Sequence, residues 1–242
     1  INTLFNTPDT GSIFPTDLVG SVQTNAKWPV FYNSSLGIQR RLGLKSVLDV
    51  AYVSTLGRNL GQTATLNALA PGTRFLSANQ DPTVPNTPLS DNFLRQYLGL
   101  GAIPYTRYTG SSNYNALQAS LNRRFTDSFS FGLSYTWSKA LDYSDKTFNV
   151  LPSFAPLHSY SYGLASYDRD HTVKFNGLWS LPKASRLWDN WLMRAAFDNW
   201  QISGIASFVR GAPMGINLDT GGVDLTGGTD GPRALIQGNP VL

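Results

Sequence analysis

The residues best suited to chemistry are Asp168, Arg169, Asp170 and His171, four consecutive titratable side chains. Carboxylates and an imidazole can bind a metal or carry a proton, so a metal site or an acid–base site is one interpretation. In an extended segment, however, successive side chains point to opposite sides, and the two aspartates then point away from Arg169 and His171. We therefore expect ion pairing and polar capping at the start of a strand.

A second set of carboxylates, Asp219, Asp224 and Asp230, lies in a glycine-rich segment. Such a loop could offer oxygen ligands to calcium. The spacing matches neither the EF-hand loop nor a regular nonapeptide repeat, and glycine-rich turns of an external loop account for the same residues. His158 is isolated among aromatic residues and proline, and we expect it to pack in a loop.

Enzymatic chemistry is not indicated elsewhere in the sequence. There is no cysteine, and no Ser/His/Asp arrangement, carboxylate pair or phosphate-binding glycine loop stands out. The formal net charge is +4, but the basic residues flank predicted turns and do not form one stripe. We therefore expect no enzyme, no cofactor, no bound metal and no nucleic-acid partner.

The elements that would position these side chains are strands. Between Phe129 and Ser138, large apolar residues alternate without a break with Ser, Gly and Thr. Because successive side chains of a strand point to opposite faces, one face is apolar and the other is small and polar. In a soluble sheet the apolar face packs in a core, whereas in a membrane barrel it faces lipid and the polar face lines the lumen.

Five further segments share this period, namely 35–42, 47–56, 115–125, 171–181 and 200–208, with interruptions at Leu178 and Ile205. In a membrane barrel, the residues predicted to face lipid are Phe129, Phe131, Leu133, Tyr135, Trp137, Val173, Phe175 and Trp179. Those predicted to face the lumen are Gln39, Asp49, Gln118, Asn122, Ser134, Lys174 and Asn176. A wet lumen accepts charge, whereas a Lys turned toward lipid at the bilayer midplane costs roughly 2–4 kcal/mol.

The connections between strands differ at the two ends. Turns at 43–45 and 126–128 are short, and residues 182–199 connect the last strand pair at the same end. At the other end we predict long loops over 57–112 and 141–168, far beyond the usual length of about 4–6 residues. Outer-membrane barrels show this polarity, although antibody-like sandwiches also place long loops at one end.

A short amphipathic helix is predicted between the last two strands, where apolar residues recur at helical spacing. They are Leu187, Trp188, Trp191, Leu192 and Ala195. Such a helix either caps an ordinary core or lies in a membrane interface, and the sequence leaves both open.

Aromatic residues in the two long loops are the candidates for contact with a ligand. They are Tyr97, Tyr105, Tyr108, Phe148, Phe154, Tyr160 and Tyr162. These rings could stack on a sugar or a hydrophobic nutrient, and they could equally pack the loops against each other.

Composition also favours strands. All 15 acidic residues are Asp, so Glu, a strong helix former, is absent. The chain also has 22 Gly and 14 Pro, which favour turns. Only 14% of residues are charged, against about 25% in an ordinary soluble domain, which suits lipid contact. No apolar run reaches the roughly 20 residues of a membrane helix, so spanning would need strands.

Several sequence runs together resemble the barrel of TonB-dependent outer-membrane receptors, in particular the subgroup with an N-terminal carboxypeptidase-regulatory-like domain. The matching runs are 51–60, 114–125, 131–140, 168–171 and 199–204. The resemblance implies a 22-stranded barrel, closed by a separate plug domain, that imports scarce nutrients with energy from an inner-membrane complex. Its implied partners are outer-membrane lipid, an unidentified nutrient, and a TonB-type energy-coupling complex acting through a plug that this sequence lacks.

We therefore expect an all-β fold of antiparallel up-and-down strands, with residues 1–242 forming about six strands of a transmembrane β-barrel in the cell outer membrane. The expected function is capture of a nutrient by the extracellular loops and its passage through the lumen. The alternative is a secreted β-rich carbohydrate-binding or adhesion module, whose apolar faces would pair in a sandwich core.

Overall fold

The computed structural model describes residues 20–43, 45–98, 100–126, 128–146, 148, 150–183, 191–215 and 218–233. These residues form one sheet of eight strands. The strands are β1 (Ser21–Val22), β2 (Val30–Leu42), β3 (Ser46–Thr65), β4 (Pro104–Thr126), β5 (Phe129–Asp142), β6 (Gly163–Leu164), β7 (His171–Ser180) and β8 (Gln201–Val209). The short helices are α1 (Asp91–Leu94), α2 (Leu157–Ser161) and α3 (Trp191–Phe197), and two 3-10 turns span Thr73–Phe75 and Ser77–Asn79.

Six strands run up and down in the order β2, β3, β4, β5, β7 and β8, and each neighbouring pair is antiparallel. They correspond to the six predicted strands, so the predicted fold class is confirmed. Because these strands share one sheet, the sandwich core of the alternative interpretation is wrong for the described residues. Leu36 and Ile38 on β2 are 76% and 75% exposed, as expected where no second sheet covers them.

The strand register collects residues of like chemistry into rows across the sheet. One row of successive partners consists of Gln39, Asp49, Ser120, Ser134, Lys174 and Ser207. We call the side of the sheet with this row the polar face. On the other side, the apolar face, Leu133 lies between Leu121 and Phe175, and Tyr135 lies between Ala119 and Val173.

The predicted loop over 57–112 is wrong at both ends, because β3 continues to Thr65 and β4 begins at Pro104. A β-bulge between Arg58 and Gly61 breaks the alternation there, and Asn59 has a φ of 55°. The extension beyond the bulge gains partners on both sides. Val150 bridges Thr63 in a parallel arrangement, and β1 pairs in parallel with β4. These distant partners stabilise a segment whose own sequence lacks a clear strand period.

Much of the buried apolar core lies at the long-connection end, in a unit that we call the loop cap (residues 66–98, 100–103, 143–146, 148, 150–170 and 218–233). Its buried side chains include Ala68, Leu69, Leu151 and Ala165, and the β3 and β4 extensions add Ala64 and Ile103. The fully buried Asn67 donates to the backbone carbonyls of residues 97, 100 and 101 and accepts from the amide of residue 97. The loop cap therefore has a buried core of its own, and Asn67 ties the segment after β3 to the segment before β4.

The opposite end carries the short turns, in which Lys45 and Ser128 have positive φ values of 59° and 70°. Helix α3 confirms the predicted helix from Trp191 onward, while Leu187 and Trp188 lie outside the described residues. In the described part of the chain, none of the helices has the length and apolar character needed to cross a membrane.

Candidate functional site

A cavity of 390 Å³ lies where the sheet meets the loop cap, and we call it the loop-end cavity. Five aromatic side chains are among its lining residues, namely Phe31, Tyr108, Tyr143, Phe148 and Tyr167. Phe31 comes from β2 and Tyr108 from β4, whereas the other three belong to the connection between β5 and β7. Its volume is in the lower part of the roughly 300–1,000 Å³ range of small-molecule sites.

Phe148 is held in the cavity wall by the strand extension. Its backbone amide donates to the carbonyl oxygen of Gly61 at 3.2 Å, and its ring meets Tyr108 edge to face with centroids 6.3 Å apart. A β-carbon at Gly61 would lie 2.4 Å from the Phe148 ring, so only glycine allows this approach. The bulge end of β3 therefore sets the position of one aromatic wall.

Two carboxylates, Asp142 and Asp145, also line the loop-end cavity. Asp142 ends β5 and is 9% exposed, and its carboxylate accepts a hydrogen bond of 3.1 Å from the Tyr167 hydroxyl. Asp145 accepts the backbone amide of Ser166 at 2.8 Å. Burial raises the pKa of Asp142, and the charge of Asp145 raises it further, although the Tyr167 hydrogen bond opposes both effects. Trp137 is the last aromatic residue of β5. Asp142 follows it in the chain and lies outside the apolar part of the strand.

The cluster at 168–171 divides into two separate arrangements. Asp168 is 2% exposed and accepts the Ala140 backbone amide at 2.6 Å, while Asp170 pairs with Arg210 at 3.3 Å. Burial and the neighbouring Asp170 carboxyl raise the pKa of Asp168, and the neighbouring Asp168 carboxyl lowers the pKa of Asp170. His171 begins β7 and instead stacks on Tyr135, with Nδ1 2.8 Å from its hydroxyl. The cluster provides the ion pairing and polar capping expected at a strand entrance.

The three glycine-loop aspartates each bind groups of the loop cap. Asp219 accepts the amide of residue 221, and Asp224 accepts amides of residues 226 and 227 as well as the guanidinium of Arg74. Asp230 accepts three successive amides from residues 153–155 at 2.8, 2.8 and 3.2 Å. Among the described residues, no group of three or more His or Asp side chains is placed to hold a metal ion.

Arg74 connects two segments of the loop cap, the one that follows β3 and the one at 218–233. Its guanidinium donates two 2.9 Å hydrogen bonds to Asp91, one of 2.7 Å to Asp224 and one of 2.8 Å to the Gly228 carbonyl. Arg74 holds the pKa of Asp91 below its ordinary value, mainly through their hydrogen bonds. Charge-assisted hydrogen bonds therefore cross-link the segment after β3 to the 218–233 segment.

The predicted loop aromatics have different positions from those expected. Tyr105 and Tyr108 lie in β4 and not in a loop, because the strand extends to Pro104. Of the seven candidates, Tyr108 and Phe148 line the loop-end cavity. Tyr160 donates to the Gly231 carbonyl at 2.6 Å beneath the Arg233 guanidinium, and Phe154 lines a separate cavity of 260 Å³.

Tyr162 packs inside the loop cap. Its ring stacks on His158 with centroids 5.0 Å apart and contacts Tyr143 at 5.1 Å, and its hydroxyl is hydrogen-bonded to Asn113. His158 packs in this aromatic group, as predicted. Sequence reasoning did not select Phe31, Tyr143 or Tyr167 as ligand contacts, although the Asp-Tyr-Ser-Asp run that begins at the last residue of β5 was an available signal.

The remaining candidates occupy the two faces as grouped by the sequence. All seven predicted lumen residues share the polar face, and all eight predicted lipid residues share the apolar face. On the polar face Asn122, Gly132 and Asn176 are successive partners, and a β-carbon at Gly132 would lie 2.6 Å from the Asn176 Oδ1 atom. The assignment of these faces to lumen and lipid stays a prediction.

Comparison with known proteins identifies one family. The family model described as "Outer membrane beta barrel domain" matches residues 2–242, nearly the whole chain. A search of curated proteins found no match. A search of solved structures found none either.

Proposed function

We propose that this chain, which belongs to the outer membrane beta barrel domain family, is part of a TonB-dependent-type transporter that takes up a nutrient through its barrel. Family membership places the chain in the cell outer membrane and is consistent with contact between its sheet and membrane lipid. The finer statement, energy-dependent uptake, is supported by the resemblance of runs 114–125 and 131–140 to the barrels of such receptors.

The observation that carries the proposal is the position of Tyr167, which lines both the loop-end cavity and a second cavity of 290 Å³. Polar-face residues of three neighbouring strands, including Gln118, Thr136 and Thr172, line this second cavity. A ligand in the loop-end cavity would therefore lie one side chain away from the polar face of the sheet. This arrangement is what passage from loops to lumen requires.

The apolar face supplies the complementary argument for lipid contact. Trp137, Trp179 and Phe208 on this face are 54%, 46% and 68% exposed. Soluble monomers rarely expose a contiguous apolar patch of more than a few hundred Å². A barrel that turns this face to hydrocarbon removes it from water, while the polar row of Asp49 and Lys174 remains hydrated.

Uptake can be tested with cells that carry or lack the complete gene, grown in a rich medium whose components are quantified by mass spectrometry. We expect at least one component to be depleted only by cells with the gene. A protonophore that collapses the inner-membrane gradient should abolish that depletion. Depletion that is identical in both strains would refute uptake, and depletion insensitive to the protonophore would refute energy coupling.

The orientation of the faces can be tested by cysteine labelling, because the chain has no cysteine. In intact outer membranes, a water-soluble maleimide should label Ser134→Cys and spare Leu133→Cys, their side chains being on opposite faces. Both variants should react after denaturation, which controls for expression. Labelling of Leu133→Cys alone in the membrane would reverse the assignment.

A further inference from the structure

The chemical character of the loop-end cavity limits the classes of ligand that it can bind. Aromatic rings from β2, β4 and the β5–β7 connection form its apolar walls, and the carboxylates of Asp142 and Asp145 lie among them. Aromatic faces attract organic cations through their ring quadrupoles, and carboxylates add charge-assisted hydrogen bonds. A neutral apolar ligand would gain nothing from the two carboxylates.

The carboxylates lack a cationic partner within the described residues. Asp142 is stabilised in its ionised form only by the Tyr167 hydroxyl and the Ser144 backbone amide, and the nearby charge of Asp145 opposes ionisation. Lys146 lines the same cavity, but no ion pair within 4.0 Å joins it to either aspartate among the described residues. A buried carboxylate in this setting gains free energy when a cation approaches it.

The remainder of the cavity wall is neutral. Its other lining residues include Pro29, Leu60, Ser111, Ser112 and Leu151, which offer apolar surface and hydroxyl groups. The guanidinium of Arg58 is engaged by the carbonyls of Gly57 and Ser112 and by the Asn113 side chain. Two aspartates and one lysine thus give the lining a net formal charge of −1.

We propose that the loop-end cavity binds the protonated amino or guanidinium group of a small aromatic or aliphatic ligand, with Asp142 and Asp145 as its counter-charges. Tyr167 is a positioning residue, because its hydroxyl fixes the Asp142 carboxylate from the side of the second cavity. The ligand body lies against Tyr108 and Phe148, whose edge-to-face contact gives one firm wall. The biological meaning of this binding rests on the proposed uptake function, but binding itself is measured without transport.

The test uses the full-length protein in lipid nanodiscs and the probe pair tryptamine and tryptophol, which differ only in an ammonium or a hydroxyl group. Isothermal titration calorimetry at pH 7, with empty nanodiscs as the blank, should give a Kd for tryptamine at least tenfold below that for tryptophol. Asp142→Asn and Asp145→Asn should each weaken tryptamine binding about tenfold and leave tryptophol binding unchanged. Asp219→Asn is the control, because Asp219 caps its own turn outside the cavity, and it should bind as the unaltered protein does.

Equal affinity for the two probes would overturn the proposal, and so would tighter binding of indole-3-propionate or binding of maltose in place of tryptamine. If Asp142→Asn fails to fold by circular dichroism, Asp145→Asn decides the outcome alone. Tryptamine binding without gene-dependent uptake of any nutrient would refute the transport function but would leave the cation site supported. Gene-dependent uptake without selectivity for tryptamine would refute the cation site and leave the transport function standing.

Discussion

The Tyr167 hydroxyl donates a 3.1 Å hydrogen bond to the carboxylate of Asp142, and both residues line the cavity between the sheet and the loop cap. Asp142 ends β5, whereas Tyr167 lies 25 residues further along the chain, near the end of the β5–β7 connection. The pair therefore joins a strand of the barrel wall to the loops that cover it. Burial also raises the pKa of Tyr167, with the Asp142 charge as the next cause, so the phenol remains a hydrogen-bond donor at neutral pH.

The first prediction concerns Asp142 and pH. Because burial raises its folded pKa above the ordinary value of 3.8, the folded state binds this proton more tightly than the unfolded state. The contribution of Asp142 to stability is therefore fully present below pH 3.8 and is lost as the pH rises through the folded pKa. Above the folded pKa, a constant penalty in the free energy of unfolding remains. Asp142→Asn should remove that penalty at pH 7. Thermal unfolding from pH 3 to 7 should show a variant advantage that grows with pH, and a constant difference would contradict it.

Substitution of the same carboxylate is expected to have opposite effects on stability and on ligand binding. Asp142→Asn is expected to keep or raise the melting temperature while it weakens binding of a cationic ligand. Substitution of a residue with a purely structural role would lower both the melting temperature and the affinity for the cationic ligand. This opposition is typical of functional groups that are held in an unfavourable environment.

The second prediction concerns Asp168, whose buried carboxylate accepts the Ala140 backbone amide. Asp168→Ala leaves that amide unpaired and should lower the free energy of unfolding by about 1–3 kcal/mol. Asp168→Asn retains an acceptor oxygen and supplies a donor toward Asp170, so its loss should be much smaller. Denaturant unfolding of both variants measures the difference, and equal losses would show that the amide contact is not the cause.

The third prediction concerns Asp230, which joins the 218–233 segment to the β5–β7 connection through three amides. Asp230→Ala should cost about 1.5–3 kcal/mol, the usual range for hydrogen bonds to a charged group. The amides of residues 153–155 should then exchange faster with deuterium. Asp219→Ala, which removes the contact to the amide of residue 221, is the matched control and should leave exchange at 153–155 unchanged. Unchanged exchange in the Asp230 variant would show that this link does not order the connection.

Sequence alone predicted six strands, including the two whose period is interrupted at Leu178 and Ile205. The run from Phe129 to Ser138 gave the face of each β5 residue because side-chain alternation is a local property of the backbone. The extension of β3 past Leu56 could not be found this way, since Gly57, Asn59 and Gly61 interrupt the pattern. Its partners at residues 148, 150 and 151, and β1, which pairs with the facing extension of β4, come from distant parts of the chain.

The candidate site was accessible to sequence reasoning only in part. Tyr108 could be selected because an aromatic residue between two strands is a reasonable ligand contact. The importance of Asp142 depends on its burial and on Tyr167, and neither can be derived from residue type or spacing. Conversely, Tyr160 and Tyr162 had suitable chemistry, but their hydroxyls are already hydrogen-bonded to Gly231 and Asn113.

The last prediction concerns Gly132, which lies between Asn122 and Asn176 on the polar face. A β-carbon there would lie 2.6 and 2.9 Å from the Oδ1 atoms of the two amides, closer than van der Waals contact allows. Gly132→Ala should therefore displace both side chains and destabilise the barrel by about 1 kcal/mol, the low end of the cost of overpacking, because both amides are exposed.

The control for Gly132 is Gly204→Ala on β8, where a β-carbon meets nothing within 4 Å. Both substitutions add the same methyl group to a strand glycine, so their different surroundings account for any difference in stability. Thermal unfolding in nanodiscs should show a lower midpoint for Gly132→Ala and little change for Gly204→Ala. If the two midpoints coincide, the amides of Asn122 and Asn176 have moved aside without cost, and the polar face is less closely packed than its register implies.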